Sequence, residues 1–445
     1  MVLSTPEYLC FLTVIFLAFW ALAKNRVLAV SLVLIANLFF YYRWGWIYLG
    51  AIPASALIDF AIARSISTKR WLIWVSVVLN LTLLALAKIP ATGIWLKLSL
   101  SFYAFQALSY TIDVYRGDAQ PSGSWLRHMT SVTFFPTILQ GPITRVSSLI
   151  PQWDKLKLPL APADGGKALF WIGLGVCKKF LIADYLGENL VNRIFDGPAL
   201  YSGFECFTGV VGYAFQLYYD FSGYTDIALG SALLLGIKLP ANFNRPYEAL
   251  NIAEFWRRWH ISLSNWLRDY LYYSLPGQRV QLMQYVNLAL TMVLGGLWHG
   301  FSINFFIWGA LHGVGLAMAR WWQVRRGKTP YSPLWIARFG RGTVTFLYVL
   351  LGWVFFRAES LDAARAVLAQ IATGTVGFGN IGTGFAVVMG VGIVAHYWPK
   401  QWYANVQQGF IEAPAAMQAL ILALIVACIE YVGATGSAPF VYQRF

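Results

Sequence analysis

The sequence NIAEFWRRWHISLSNWLRDYLYY at residues 251–273, followed by an apolar run and by GGLWHG at residues 295–300, decides how the rest of the chain is interpreted. Apolar residues in its first half recur at steps of three and four, which predicts an amphipathic helix with one apolar stripe. The stripe consists of Ile252, Phe255, Trp256, Trp259, Leu263, Trp266, Leu267 and Tyr270. At about 100° per residue, His260 falls at the edge of this stripe, where a buried side chain still reaches a polar cavity.

Polar residues occupy the opposite face of the same predicted helix. They are Arg257, Arg258, Asn265 and Arg268. Asn251, with Glu254 three residues later, resembles a capping box that starts the helix. Because no Pro or Gly occurs between Asn251 and Pro276, the sequence predicts a helix without interruption.

The second half of the stretch, residues 286–294, predicts an apolar helix that ends at Gly295 and Gly296, just before Trp298 and His299. Glycines at that point let a backbone or a ligand come close. An ionisable group at membrane depth is costly unless it faces the protein interior or a water-filled path. His299 is therefore a candidate functional residue, the alternative being a histidine satisfied by one hydrogen bond.

The composition indicates an integral membrane protein. Hydrophobic residues make up 58% of the chain, charged residues only 12%, and the mean hydropathy is +0.57, whereas charged residues run near 25% in soluble domains. The net charge of +14 does not indicate nucleic-acid binding, because the basic residues cluster between apolar spans, as the positive-inside rule describes. The four cysteines share no metal-binding or redox spacing.

The N-terminal third predicts a series of membrane helices at residues 7–23, 27–42, 44–63, 71–87 and 94–114. The first and third loops carry the positive charge, with Lys24 and Arg26 in one and Arg64, Lys69 and Arg70 in the other. This pattern places both loops in the cytoplasm and the N-terminus outside.

Residues 125–145 form a weaker apolar segment that is interrupted by Pro136, Gly141 and Pro142. These residues are not compatible with a straight span, so a re-entrant or broken helix lining a cavity is predicted. The Pro-rich, charged residues 151–167 are predicted to form a loop.

Two further apolar runs, at residues 170–186 and 204–236, contain charged residues. The first contains Lys178 and Lys179, which must snorkel or face a polar site. The second contains YYDFSGYTD, in which Asp220 and Asp226 flank a predicted Ser-Gly break. The two carboxylates form either an ion or proton site or, as the favoured interpretation, a means of orienting neighbours and capping two half-helices.

The C-terminal part continues with a span at residues 303–319 that contains His312, and with a basic loop at residues 320–341 that is predicted to be cytoplasmic. Three more spans are predicted at residues 343–356, 385–398 and 417–432, and an interfacial helix at residues 361–372. The whole chain, residues 1–445, is predicted to be one all-α polytopic membrane domain with about 10 to 12 crossings, and a C-terminus outside.

Several phrases occur in order along the chain: SFYAFQALSYTIDVYRG (101–117), FFPTILQGPITR (134–145), QLYYDFSGYTDIALG (216–230), NFNRPY (242–247), EFWRRWHISLSNWLRDYLYY (254–273), GGLWHG (295–300), WGALHG (308–313) and APFVYQRF (438–445). Together they resemble the membrane-bound O-acyltransferase family, and within it the bacterial branch that includes the alginate O-acetylation protein. One departure is SLPGQRVQ at residues 274–281, where a Gly-Gly-Asn-Arg-like turn is usual.

The resemblance implies that His299 is the family's catalytic histidine and His260 its second active-site residue. It implies a ring of helices and re-entrant helices around a central tunnel, through which a cytoplasmic acyl donor reaches an acceptor on the far side. It also implies a bacterial inner-membrane location and periplasmic partners that complete transfer onto a polysaccharide.

Acyl transfer from a thioester to a hydroxyl needs a base, a means of holding the oxyanion, and exclusion of water. A neutral imidazole with a pKa near 6.5 suits the first role, which is assigned to His299. His260, or the indole N–H of Trp298 or Trp259, is a candidate donor to the oxyanion or a group that fixes the imidazole tautomer. Because no GxSxG phrase occurs, direct transfer is favoured over an acyl-enzyme.

Further candidate substrate-binding residues are Asp220, Ser222, Tyr224, Asn265, Arg257, Arg258 and Arg268. The three arginines either meet the phosphates of the donor or lie at lipid headgroups. His312 is interpreted as a packed or supporting histidine. No tightly bound cofactor and no metal is expected, since two histidines without HExxH make a thin metal site, and the co-substrate is acetyl-CoA or an acyl group on a carrier's phosphopantetheine.

Alternative functions remain open at this point. A D-alanyl transferase of teichoic acid would use the same two histidines with a carrier-protein thioester, and an acetyltransferase for peptidoglycan or cellulose fits the residues equally. From another class, a transporter or flippase would use Asp220, Asp226 and Lys178 as coupling groups.

Overall fold

A computed structural model of the protein describes residues 2–88, 100–327 and 334–432, and these are helices and connecting loops without a strand. The α-helices are α1 (Pro6–Leu22), α2 (Arg26–Tyr42), α3 (Ile47–Ser65), α4 (Leu72–Lys88), α5 (Ser101–Arg116), α6 (Trp125–Val132), α7 (Phe135–Ile138), α8 (Val146–Asp154), α9 (Pro162–Cys177), α10 (Asn192–Asp196), α11 (Gly203–Leu234), α12 (Ile252–Arg258), α13 (Ile261–Trp266), α14 (Gln281–His299), α15 (Ile303–Arg326), α16 (Trp335–Arg357), α17 (Leu361–Ala372), α18 (Thr383–Tyr397), α19 (Lys400–Glu412) and α20 (Ala415–Val432). Short π-helical segments follow α9 and α13, at Lys178–Asp184, Gly187–Val191 and Leu267–Leu271.

The N-terminal helices agree with the predicted apolar runs to within a few residues. Thr5 caps α1 by accepting from the amide of Tyr8 at 3.4 Å, and Asn25 caps α2 by accepting from the amides of Val27 and Leu28. The first predicted loop is therefore a tight turn that ends one helix and caps the next. The beginning of the predicted span 94–114 lies outside the described residues.

By length and apolar composition, α3 and α16 each suffice to cross a membrane, and α19 with α20 forms a third candidate that is bent by 119°. α1, α2, α4 and α18 are apolar but shorter. These helices support a membrane protein, while the predicted 10 to 12 crossings are not established by them.

The chain divides into two compact units that interleave in sequence, and the assignment of residues 1–445 to one domain stays a prediction. The first comprises residues 1–176, 223–240 and 405–423, and the second comprises residues 177–222, 241–404 and 424–445.

In the first unit, the segment predicted to be broken is indeed two short helices, α6 and α7, followed by irregular backbone up to α8. Asn37 of α2 meets the break: its amide group donates to the carbonyl of Thr130 at 3.2 Å, and its amide oxygen accepts from the backbone of Phe135 at 3.0 Å. The break is buried, so these bonds satisfy backbone groups that water does not reach.

Two predicted loops are largely helical. The loop predicted at residues 151–167 is confined to residues 155–161, because α8 extends to Asp154 and α9 begins at Pro162, where a missing amide hydrogen costs nothing. The predicted basic loop 320–341 is likewise taken up by the end of α15 and the start of α16, except for a connection in which residues 328–333 lie outside the described residues.

The predicted break at Ser222-Gly223 is wrong, since α11 runs without interruption from Gly203 to Leu234. The glycines of this region serve close packing against α9 instead of a break. A Cβ atom built on Gly230 would lie 2.6 Å from the carbonyl oxygen of Ala168, and one on Gly175 would overlap the carbonyl of Gly223. Small residues here let two helix backbones approach, as they do in membrane proteins.

In the second unit, α17 has the predicted bounds, and its N-terminus is capped by Ser360, which accepts from the amide of Ala363 at 3.1 Å. The apolar runs 385–398 and 417–432 correspond to α18 and α20. α19 was not predicted, because its sequence KQWYANVQQGFIE lacks a sustained apolar run.

Candidate active site

The helix predicted to run without interruption through His260 breaks at that residue. α12 ends at Arg258, Trp259 is extended, and His260 has φ 41° and ψ 54°, in the left-handed region, before α13 begins at Ile261. His260 and Arg245 are the non-glycine residues with positive φ in the described part of the chain. A bulky residue in this region is held there by its surroundings, and such positions cluster at functional sites.

The segment that causes the break is NFNRPY, which comes from elsewhere in the sequence. The carbonyl of Asn242 accepts from the amide of Ile261 at 2.9 Å, and the amide of Asn244 donates to the carbonyl of Arg258 at 2.9 Å. These two bonds take backbone groups on both sides of His260 that a continuous helix would have used. The sequence of the helix alone carries no sign of them.

The predicted N-terminus of this helix is confirmed. The side chain of Asn251 accepts from the amide of Glu254 at 2.8 Å, and the carboxylate of Glu254 accepts from the amide of Leu250 at 3.1 Å. The reciprocal bond thus reaches one residue further back than in the usual capping box.

His260 is buried, with 1% of its surface exposed. Nδ1 of its ring lies 3.1 Å from Oδ1 of Asn242, and the ring of Phe221 packs edge-on against the imidazole with centroids 4.7 Å apart. The ring is therefore fixed in position and in plane from two different elements.

His299 is the last residue of α14 and is 4% exposed. Four aromatic rings surround its imidazole: Trp298 at 4.7 Å, Phe356 at 5.0 Å, Trp308 at 5.2 Å and Phe305 at 6.0 Å between centroids. Such a surrounding excludes water from the ring. Acyl transfer to a hydroxyl requires this exclusion of water.

The glycines before His299 do let a backbone come close, and that backbone belongs to α15. A Cβ atom on Gly296 would overlap the carbonyl of Phe305, and one on Gly313 would lie 2.7 Å from the Cα of Ala289. Because α14 and α15 are packed this tightly, the aromatic residues of α15 reach His299.

The two histidines belong to one aromatic network in the second unit. Trp259, next to His260, contacts Trp353 at 5.0 Å, Trp353 contacts Trp308 at 6.3 Å, and Trp308 contacts His299. His312 also lies in it, buried against Trp308 at 4.9 Å, as expected of a histidine that packs near the site.

The candidate arginines differ in their surroundings. Arg258 is held by the carboxylates of Glu254 at 2.7 Å and Glu248 at 3.5 Å. Arg268 bonds to Asp269 at 2.7 Å but keeps 53% of its side chain exposed, and Arg257 and Asn265 are exposed. Arg257 and Arg268 are thus the more accessible of the three arginines.

The candidates on α11 are buried, and Asp220 is ion-paired. Nζ of Lys179 lies 2.8 Å from a carboxylate oxygen of Asp220 and 2.8 Å from one of Asp184. The π-helical segment Lys178–Asp184 brings Lys179 and Asp184 together. Ser222 and Tyr224 are also buried, Ser222 in the second unit and Tyr224 in the first.

Two residues of this region were not predicted as site residues. Lys179 was expected to snorkel or face a polar site, and it does the latter, but one of its two partners, Asp220, lies 41 residues away in sequence. Asn242 was noticed only as part of NFNRPY. In the described residues, no three His, Cys, Asp or Glu side chains converge on a position for a metal ion.

Comparison with known proteins agrees with the phrases seen in the sequence. Residues 125–356 match the model of the membrane-bound O-acyltransferase family, MBOAT. A protein of Azotobacter vinelandii named as a probable alginate O-acetylase, AlgI, is 35% identical over 94% of this chain and 89% of its own length. The peptidoglycan O-acetyltransferase of Helicobacter pylori is 35% identical, covering 82% and 74% of the two chains. The teichoic acid D-alanyltransferase of Streptococcus thermophilus is 29% identical, covering 79% and 87%.

Proposed function

Because this chain belongs to the membrane-bound O-acyltransferase family, and is therefore an acyltransferase, we propose that it passes an acetyl group from a thioester on the cytoplasmic side across a bacterial inner membrane, for O-acetylation of an extracytoplasmic polysaccharide. The observation that carries the proposal is the similarity, over 94% of the chain, to a protein named as an alginate O-acetylase. Alginate is accordingly the first acceptor to test.

His299 is the base in this proposal. Its imidazole takes the proton of the acceptor hydroxyl as the oxygen attacks the thioester carbonyl, the carbon–sulfur bond then breaks, and the leaving thiolate receives the proton. The aromatic rings of Trp298, Phe305, Trp308 and Phe356 support this role because they keep water from the ring. His260 and the indole groups of Trp259 and Trp298 supply the remaining polar contacts to the substrates.

The donor is acetyl-CoA or an acetylated carrier protein, and Arg257 and Arg268 are proposed to meet its phosphates because their side chains are exposed.

Membrane lipids surround a ring of helices with a central tunnel, and both chain termini lie outside the cytoplasm. A periplasmic acetyltransferase completes the transfer, since a site within the membrane does not reach far along a glycan chain. Nucleic acid takes no part.

The test compares the O-acetyl content of the cell-surface polysaccharide with and without this chain. We expect His299→Ala to lower acetylation by about 100-fold or more, because a general base contributes roughly that factor. His128→Gln is the matched control, since His128 is a buried histidine of the first unit that bonds to the carbonyl of Ala56. It should retain acetylation at an equal amount of protein in the membrane.

Other outcomes identify the alternatives. D-alanyl esters on the glycan, supplied by a charged carrier protein, would show the activity named for the Streptococcus thermophilus relative. Full acetylation by the His299→Ala variant, together with loss of solute or lipid transport in Asp220→Asn, would show a transporter. Both results contradict the proposal.

A further inference from the structure

Three groups converge on the side-chain oxygen of Asn242 at the break beside His260. Oδ1 lies 2.8 Å from Oγ of Ser262, 3.2 Å from the backbone nitrogen of Ser262 and 3.1 Å from Nδ1 of His260. All three residues are buried, with 1% of Asn242, 1% of His260 and 6% of Ser262 exposed. The arrangement therefore lies in the interior, where hydrogen-bond partners determine protonation.

The backbone amide of Ser262 identifies the Asn242 atom at this position. An amide N–H only donates, so the atom that faces it must be the acceptor of the asparagine side chain, namely the oxygen and not the nitrogen. An amide oxygen only accepts, so the ring nitrogen 3.1 Å away must carry a hydrogen. In a neutral imidazole with a proton on Nδ1, the other nitrogen, Nε2, has a lone pair and accepts.

We propose that Asn242 is a positioning residue of the active site, which holds His260 as the Nδ1–H tautomer, so that Nε2 accepts a hydrogen bond from an O–H or N–H group of the substrates. The tautomer follows from the geometry alone, and its use in binding rests on the proposed function. Of the roles considered for His260, donation from Nε2 to an oxyanion is thereby excluded for the neutral ring. That role falls to the indole groups.

The backbone of the same residue supports this assignment. Asn242 accepts from the amide of Ile261 with its carbonyl, at 2.9 Å, while its side chain binds His260 and Ser262. His260 has the left-handed conformation, with φ 41°, at the point where this asparagine binds the chain. Phe221 packs against the ring and limits its rotation. One residue therefore holds both the backbone next to His260, at Ile261, and the proton on the His260 ring.

The first experiment measures the ¹⁵N chemical shifts of the histidine ring nitrogens in the full-length protein in lipid bilayers. The signals of His260 are identified as those that disappear in His260→Gln. We expect Nδ1 to be protonated and Nε2 unprotonated, and we expect Asn242→Ala to lose this preference while Asn242→Asp keeps it, because a carboxylate also only accepts. A proton on Nε2 in the wild-type protein, or an unchanged tautomer in Asn242→Ala, would overturn the proposal.

A matched control separates the tautomer from a general loss of stability. Asn37 is a buried asparagine of the first unit that bonds through both ends of its amide group, to Thr130, Thr133 and Phe135. Asn37→Ala removes a comparable set of bonds and should leave the His260 signals unchanged. If Asn242→Ala does not fold, Asn242→Asp still decides the question, since its Nδ1 must remain protonated.

The second experiment measures transfer. Asn242→Ala is expected to reduce kcat by about 10- to 100-fold, since a misplaced catalytic group has an effect of this size. Asn242→Asp is expected to retain more activity and to move the low-pH limb of its rate profile to higher pH, because the added negative charge stabilises the imidazolium. Equal losses in the two variants with identical pH profiles would contradict the positioning role.

The two proposals fail in different ways. If the wild-type protein transferred no acyl group while the ring signals were as expected, the proposed function would be wrong and the tautomer right. If transfer occurred and Nε2 carried the proton, the reverse would hold.

Discussion

Lys179 shows how single residues in this chain keep charge inside an apolar protein. Its Nζ lies 2.8 Å from carboxylate oxygens of both Asp184 and Asp220, and 1% of its side chain is exposed. If one member of such a buried ion pair is removed, the remaining charge is left buried without an opposite charge. The resulting loss of stability is larger than the net stability that the pair contributes. Asp220 is therefore paired with Lys179 inside the protein. This pairing favours the interpretation that Asp220 orients neighbouring groups over the interpretation that it binds an ion.

Lys179→Met is expected to lower the free energy of unfolding by about 3–5 kcal/mol, because two carboxylates then share a buried position without a cation. Thermal unfolding in detergent, followed by circular dichroism, measures the effect. Lys178→Met is the control, as the neighbouring lysine is half-buried in the same segment, and its loss should be smaller.

A second variant tests the same ion pairs by neutralising the carboxylates of Asp184 and Asp220 together with Lys179. The triple variant Lys179→Met, Asp184→Asn, Asp220→Asn should recover part of the loss. If Lys179→Met and Lys178→Met unfolded at the same temperature, the ion pairs would contribute nothing to stability.

Hydrogen bonds from other segments of the chain decide where some of the helices end. The helix that begins at Ile252 is broken at His260 by Asn242 and Asn244, whereas α11 continues through Ser222-Gly223, where a break was predicted. In the first case the sequence contains no helix breaker, and in the second it contains a glycine. Local propensity is thus overridden in both directions by tertiary contacts.

Because α14 packs closely on α15, we predict that a side chain at Gly296 destabilises the protein. A Cβ atom on Gly296 would overlap the carbonyl of Phe305 and lie 3.2 Å from the Cα of Gly309, neither of which can move without shifting α15. Gly296→Ala is expected to cost about 1–3 kcal/mol of stability, as overpacking does, and to displace His299.

Gly295→Ala is the matched control for this variant. Its Cβ would meet only a methyl carbon of Leu267, at 3.3 Å, which moves easily. The measurement is denaturant unfolding together with O-acetyl transfer. Equal stability and equal activity in the two variants would show that the backbone contact does not position His299.

For the molecule as a whole, the distribution of charge between apolar helices predicts the orientation in the membrane. α1 and α2 are apolar and joined by a turn that contains Lys24, Asn25 and Arg26. Basic residues next to membrane helices remain on the cytoplasmic side, so this turn should face the cytoplasm and residues before α1 should face outward.

Labelling of single cysteines in a cysteine-free background checks this orientation. We expect a membrane-impermeant thiol reagent to label Asn25→Cys only in inside-out vesicles, and Ser4→Cys in intact cells or right-side-out vesicles. Labelling of Asn25→Cys from the outside would reverse the topology and move the thioester donor to the wrong side for the proposed reaction.

The sequence by itself determined the class of protein, most of the helices and the family. Apolar composition and periodicity are summed over many residues, so they predict α1 to α4, α17 and the apolar runs to within a few residues of their bounds. The phrases around His260 and His299 identified the family because they extend along the whole chain. The same motifs predicted which residues belong to the candidate site, but not how those residues are arranged.

Only the tertiary structure decided how those residues are held. The break at His260 depends on bonds from Asn242 and Asn244, the charge of Lys179 is paired with Asp220 on another helix, and the aromatic wall of His299 comes from three helices. Each of these depends on contacts between different structural elements of the chain. Hydrophobic periodicity is insensitive to such contacts, because one hydrogen bond or ion pair between distant residues changes the backbone without changing the local pattern of apolar and polar residues.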